Sequence, residues 1–161
     1  METIIIGLGN PILSDDGVGW RIVERLRVDL PPTLQAGVTI TEVCVGGLSL
    51  AEMLVGYQRA IIVDAIITGQ QPPGTVRTFS LDELPGTLNL ASAHDTNLVT
   101  ALRALRRFEG DVPPDNAITI VAVEATDVWT FSEVCTPAVS ACMPQAIAAI
   151  LKILANSQIA C

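Results

Sequence analysis

The sequence predicts a single α/β domain over residues 1–161, built on a mostly parallel sheet of about five strands with helices on both faces. Three observations carry that expectation. Half of the chain is hydrophobic while only 4% is aromatic, the balance of Val/Ile/Leu strands buried on both sides rather than of an antiparallel sheet with one wet face. Short apolar runs alternate along the chain with stretches of helical spacing. A length of 161 residues supports one substantial core and is short for two.

Charge and cysteine usage narrow the function classes. Nine Lys plus Arg stand against seventeen Asp plus Glu, a formal net charge of −8, and a field of that sign repels phosphate backbones and anionic lipid. Nucleic-acid and membrane-surface partners are therefore disfavoured. Cys44, Cys135, Cys142 and Cys161 are scattered without a C-x-x-C pair, and the N-terminus has no basic region followed by a long apolar one, so a reducing cytosol is the expected compartment. Cys44 and Cys142 are expected inside the packed interior. Pro144, Gln145 and Lys152 interrupt the C-terminal apolar segment, which is expected to fall short of the roughly 20 apolar residues of a membrane span.

The elements follow in order. Residues 3–8 form an apolar run that reads as the first strand, and residues 16–29 place Val18, Ile22, Val23, Leu26 and Leu30 at helical spacing. Ser14 suits the N-cap of that helix, Asp15 and Asp16 suit the positive end of its dipole, and Pro31-Pro32 stops it. A β-branched stretch at 38–44 predicts a second strand, and Gly46-Gly47 turns the chain into a short helix at 48–55. The run Ala60-Ile61-Ile62-Val63-Asp64-Ala65-Ile66-Ile67 is the clearest buried strand. Residues 75–80 read as a further strand, an antiparallel edge. Leu98, Leu102 and Leu105 set a helix over 95–108, residues 117–123 a fifth strand, and 124–136 a polar connection. Residues 137–156 close the chain as a helix that Pro144 is expected to kink or reset.

Chemistry concentrates where strands hand over to loops. Gly7-Leu8-Gly9-Asn10-Pro11-Ile12 opens like a dinucleotide fingerprint, but Ile12 stands where G-x-G-x-x-G needs a glycine for close helix packing. The Gly-Asn-Pro opening also resembles that of peptidyl-tRNA hydrolases. Those enzymes carry a histidine soon afterwards and a basic face, whereas here the one histidine is His94 and the charge is negative. Asp64 lies near the end of an apolar strand, where a buried carboxylate requires a hydrogen-bonding partner, a cation or solvent at the sheet edge. His94 lies at a helix entrance. A doubly wound fold can bring Asp16, Asp64 and His94 together, and two carboxylates with one imidazole suit a borderline divalent metal with open coordination positions.

Taken in order, Gly7-Leu8-Gly9-Asn10-Pro11, Ser14-Asp15-Asp16-Gly17-Val18-Gly19, Ile62-Val63-Asp64-Ala65, Ser92-Ala93-His94-Asp95 and Thr136-Pro137-Ala138-Val139 ahead of Pro144 are similar to the hydrogenase maturation endopeptidases. That family processes the large subunit of nickel-iron hydrogenases. The resemblance implies a twisted five-stranded sheet flanked by helices, and a cytosolic endopeptidase that removes a C-terminal extension from the large-subunit precursor once nickel is inserted. It implies that Asp16, Asp64 and His94 are the metal-touching and catalytic residues, with nickel carried by the precursor. Some family members begin the turn after the second strand with an aspartate; here Glu42-Val43-Cys44-Val45-Gly46-Gly47 keeps only the glycines, so a positioning role falls to Gly46 and Gly47 and not to Glu42. The competing function from another class is a nickel-delivery or nickel-sensing protein that uses the same three ligands and cuts nothing.

Overall fold

Strand β1 (Thr3–Leu8) is buried at every position and lies inside the sheet, with a parallel neighbour on either side. In the computed structural model, which describes residues 1–83, 98–108 and 110–158, β2 (Val38–Val43), β3 (Arg59–Ile66), β4 (Val76–Ser80) and β5 (Ile118–Glu124) complete a five-stranded sheet of order β2-β1-β3-β5-β4. Every pairing is parallel except β4 with β5. The antiparallel edge expected at 75–80 is therefore present, and the strand assignments hold to within a residue or two at each end.

Helices cover both faces, as the aliphatic composition predicts. Helix α1 (Val18–Asp29) and helix α4 (Pro137–Gln158) pack on Ile5, Ile61, Val63, Val121 and Val123. The short α2 (Gly47–Glu52) and α3 (Leu98–Arg107) pack on Ile4, Ile6, Leu8, Ile62 and Ile120. Alternate residues of each strand thus feed opposite cores, the period of two that a sheet buried on both sides requires.

Two elements depart from the sequence expectation. The first helix begins at Val18 rather than Asp16, because Ser14–Gly17 forms a separate 3-10 turn. Ser14 is no N-cap: it holds a positive φ of 42°, and its hydroxyl donates to the Val134 carbonyl at 3.4 Å. The closing helix runs on through Pro144 as one element, so the chain is not reset there. Pro144 lies on its exposed side, where water can satisfy the Ser140 carbonyl that proline leaves without a donor. This helix is also, by length and composition alone, apolar enough to cross a membrane over Pro137–Asn156, contrary to the expectation from its interruptions. Val139, Cys142, Ala146, Ile147, Ile150 and Leu154 are nonetheless buried against the sheet, the stripe of a core helix.

Glycines let the first helix approach β1 and β3. A Cβ on Gly19 would run into the carbonyl oxygens of Val63 and Leu8, and one on Gly9, at φ +127°, into the carbonyl of Asp16. The glycines of the opening motif therefore serve backbone-to-backbone packing, which settles the turn carrying Asp16 directly over the ends of the two strands.

Candidate active site

The strand order sets where a ligand can lie. From β1 the chain moves outward to β2 through α1, then returns across the sheet through α2 to β3, so the direction of winding reverses between β1 and β3. In open α/β sheets such a reversal opens a crevice at the carboxyl ends of the two strands. Asp64 is the first β3 residue beyond the rungs shared with β1, which end at Gly7 and Val63. The 3-10 turn that follows β1 contacts β3 and carries Asp16. The turn carrying Asp16 and the strand end carrying Asp64 thus both lie at the carboxyl edge of the neighbouring strands β1 and β3. His94 lies outside the described residues, four positions before Leu98, where α3 begins.

Each acid is held differently. Asp64 is buried at 1% exposure, and its Oδ1 accepts from the amide of Ala65 at 2.8 Å. By strand alternation it shares the face of Ile62 and Ile66, which α2 and α3 cover. Asp16 is half-buried, and its Oδ2 accepts from the Asn10 amide at 2.7 Å, tying the Gly9-Asn10-Pro11 turn to the start of the helix. Arg21 braces that turn from α1 by donating to the Pro11 carbonyl at 2.8 Å. The nearby turn after β2 is anchored at Val43, whose carbonyl accepts from Gly9 N at 3.2 Å and from Trp20 Nε1 at 3.0 Å. Gly47 there adopts φ +56°, a conformation that favours glycine, whereas Glu42 is paired with Arg27 at 2.7 Å.

Asp15 has a role that sequence reasoning missed. It is fully buried and saturated: Oδ2 accepts from Thr126 N at 3.1 Å, Asp127 N at 3.0 Å and Thr136 Oγ1 at 3.0 Å, and Oδ1 from Thr136 N at 2.7 Å. Its own amide donates to the Asp127 carbonyl at 2.9 Å. This carboxylate is a clasp between the β1 turn and both ends of the 125–136 loop, not a helix-dipole complement. Glu124 is a second clasp, 2% exposed, whose oxygens accept from Thr68 N at 2.7 Å, Thr68 Oγ1 at 2.8 Å and Gly69 N at 2.9 Å. A charge ending the apolar run of β5 was a readable signal, the same one that singled out Asp64. No local signal marks Asp15, because its partners are more than a hundred residues away.

Two thiols lie beside the Asp15 clasp, Cys135 donating from Sγ to the Ser14 carbonyl at 3.5 Å. Cys142 is buried as expected and Cys135 is buried with it, but Cys44 is exposed, since it leaves the end of an edge strand. Burial pushes the Cys142 thiol up to about 11, and burial likewise raises Cys135. Among the described residues no three His, Cys, Asp or Glu side chains group closely enough to hold a metal.

The fold is that of a doubly wound α/β protein with two aspartates at its carboxyl edge, Asp16 beyond the end of β1 and Asp64 near the end of β3. The model of the hydrogenase maturation protease family matches residues 20–153, and the chain belongs to that family. The hydrogenase 2 maturation protease of Escherichia coli is 31% identical over 160 residues, covering 98% of this chain and 93% of that protein. The solved structure of the hydrogenase maturating endopeptidase HybD from E. coli superposes with a TM-score of 0.81 at 31% identity, covering 98% of this chain and 94% of that one. A maturation protease from Thermococcus kodakarensis, at 24% identity over 96% of this chain and 99% of its own, shares the fold with a TM-score of 0.74. The chain is thus a peptidase of the hydrogenase maturation type.

Proposed function

We propose that this peptidase removes the C-terminal extension of a nickel-iron hydrogenase large-subunit precursor after nickel insertion, in the cytoplasm, and that Asp16, Asp64 and His94 meet the nickel carried by that precursor. The observation that supports the reading is the reversal of winding between β1 and β3, which sets the turn carrying Asp16 and the strand end carrying Asp64 at the carboxyl edge of neighbouring strands although 48 positions separate the two residues in sequence. Asp16 spends one oxygen on the Asn10 amide and keeps acceptor capacity for a cation, since a carboxylate offers about four lone-pair sites. Nickel here is part of the substrate. Two carboxylates and an imidazole complete a coordination sphere that the precursor has begun, and the tether holds the scissile bond in the crevice at high effective concentration.

The test is to incubate the protein with precursor prepared with and without nickel and to follow loss of the C-terminal peptide by mass spectrometry. Cleavage of the nickel-loaded form alone is expected, and Asp64→Asn or His94→Ala should abolish it in a protein that still folds by circular dichroism. Equal cleavage of both forms would remove nickel from the recognition step. Tight nickel binding by the isolated protein, with neither form cleaved, would favour the carrier instead.

A further inference from the structure

The 125–136 loop joins β5 to α4 at the carboxyl edge of the sheet, and its backbone is pinned along its length. Asp15 holds both ends. The Asp127 carboxylate accepts from the amides of Trp129 at 3.1 Å and Thr130 at 3.0 Å, bonds that hold its carboxyl below the usual range, with the Thr130 amide as the largest cause. Ser132 bridges to the β1 turn: its amide donates to the Ile12 carbonyl at 3.0 Å, and its carbonyl accepts from Ser14 N at 2.8 Å. Yet this fixed loop spends large apolar side chains on solvent. Trp129 and Phe131 are each 80% exposed, Val134 69%, and Ile12 on the bridged turn 47%. Scattered apolar residues on a surface need no explanation, but two aromatics and two aliphatics on one pinned unit beside a crevice have the composition of an interface core. Pinning the backbone in advance lowers the entropy lost when a partner covers them.

We infer that Trp129 and Phe131 dock the folded body of the precursor, on an apolar patch rimmed by cationic side chains close to where its C-terminal extension begins. The inference rests on the proposed function and names the surface by which that substrate is recognised. Continuity supports it, because the Asp15 carboxylate bonds the loop to the turn that presents Asp16, so a body seated on the loop delivers its tail to the crevice. Charge supports the rim: Asp127 and Glu133 flank the aromatics in a chain of net charge −8, and neither makes an ion pair among the described residues.

The experiment compares wild type, Trp129→Ala/Phe131→Ala and the control Phe108→Ala, whose aromatic is 85% exposed at the end of α3. Precursor binding is measured by titration, processing by kcat and KM on nickel-loaded precursor, and self-association by sedimentation. The double variant should unfold at the wild-type temperature, bind precursor at least tenfold more weakly and raise KM to match, with kcat within about twofold; Phe108→Ala should change nothing. Equal binding by wild type and double variant overturns the inference, whether or not the precursor is cut. A wild-type dimer that the double variant loses, with precursor affinity unchanged, assigns the surface to a second copy of this chain. Wild type that binds normally but cleaves nothing counts against the proposed function alone, and the affinity difference still decides the docking surface.

Discussion

Asp15 and Asp16 are neighbours in sequence and opposites in use. Asp15 is fully buried with four donors on its two oxygens, whereas Asp16 is half-buried and accepts one amide among the described residues. A saturated carboxylate has no capacity left for a ligand, and a half-buried one with a single donor has most of it. The difference teaches that the acidic character of the β1 turn divides into a half spent on structure and a half left with acceptor capacity, the half to which the proposed function assigns the nickel. Composition cannot make that division, because both residues are aspartate and both follow the same strand.

Substitution should break the comparison most directly. Asp15→Ala leaves three amides and a hydroxyl without their acceptor, and should lower stability by about 3 kcal/mol while loosening the 125–136 loop. Asp16→Ala should cost less than about 1 kcal/mol and still abolish processing. Urea unfolding at constant m, run beside the processing assay, checks both. Equal losses of stability would mean that Asp16 too is structural.

A smaller effect sharpens the structural half. Cys142 and Cys135 lie near Asp15, and burial, then the charge of Cys135, raises Cys142 to about 11, with Asp15 adding to the shift. A folded-state pKa above the unfolded one means that the contribution is fully present below the ordinary thiol range. It is lost as pH rises through that range toward 11. Stability should therefore fall by on the order of 1 kcal/mol between about pH 9 and 11, and Cys142→Ala should flatten that slope. A slope unchanged in the variant would place the alkaline sensitivity elsewhere.

Much of this was legible in the sequence, for identifiable reasons. The strands showed because both faces are buried, so Ile4-Ile5-Ile6 and Ala60-Ile61-Ile62-Val63 read as unbroken apolar runs. Asp64 showed because a charge in such a run needs a reason. The start of the first helix did not show, because Ser14–Gly17 is bent by bonds from residues 126–136 rather than by its own propensities. Cys44 misled because a thiol ordinarily goes inside, whereas here it leaves the end of an edge strand. The continuation of the closing helix through Pro144 was hidden for a similar reason: the cost of a helical proline depends on whether the freed carbonyl faces water, and only packing decides that.

The bond between Asp15 and Thr136 spans 121 positions, and so fixes an order of events as well as a shape. A ring that long is closed only after shorter-range pairings have drawn its ends together, so the parallel ladder of β1 with β3 comes first and the clasp among the last contacts. Pulse-labelled amide exchange during refolding should accordingly protect Ile61 and Ile62 before Thr136. Until residue 136 has been synthesised, the growing chain carries Asp15 without half of its donors, and the turn beside it lacks the loop that holds it. The turn that carries Asp16 is therefore fixed in its final place only once the segment that follows β5 has been made.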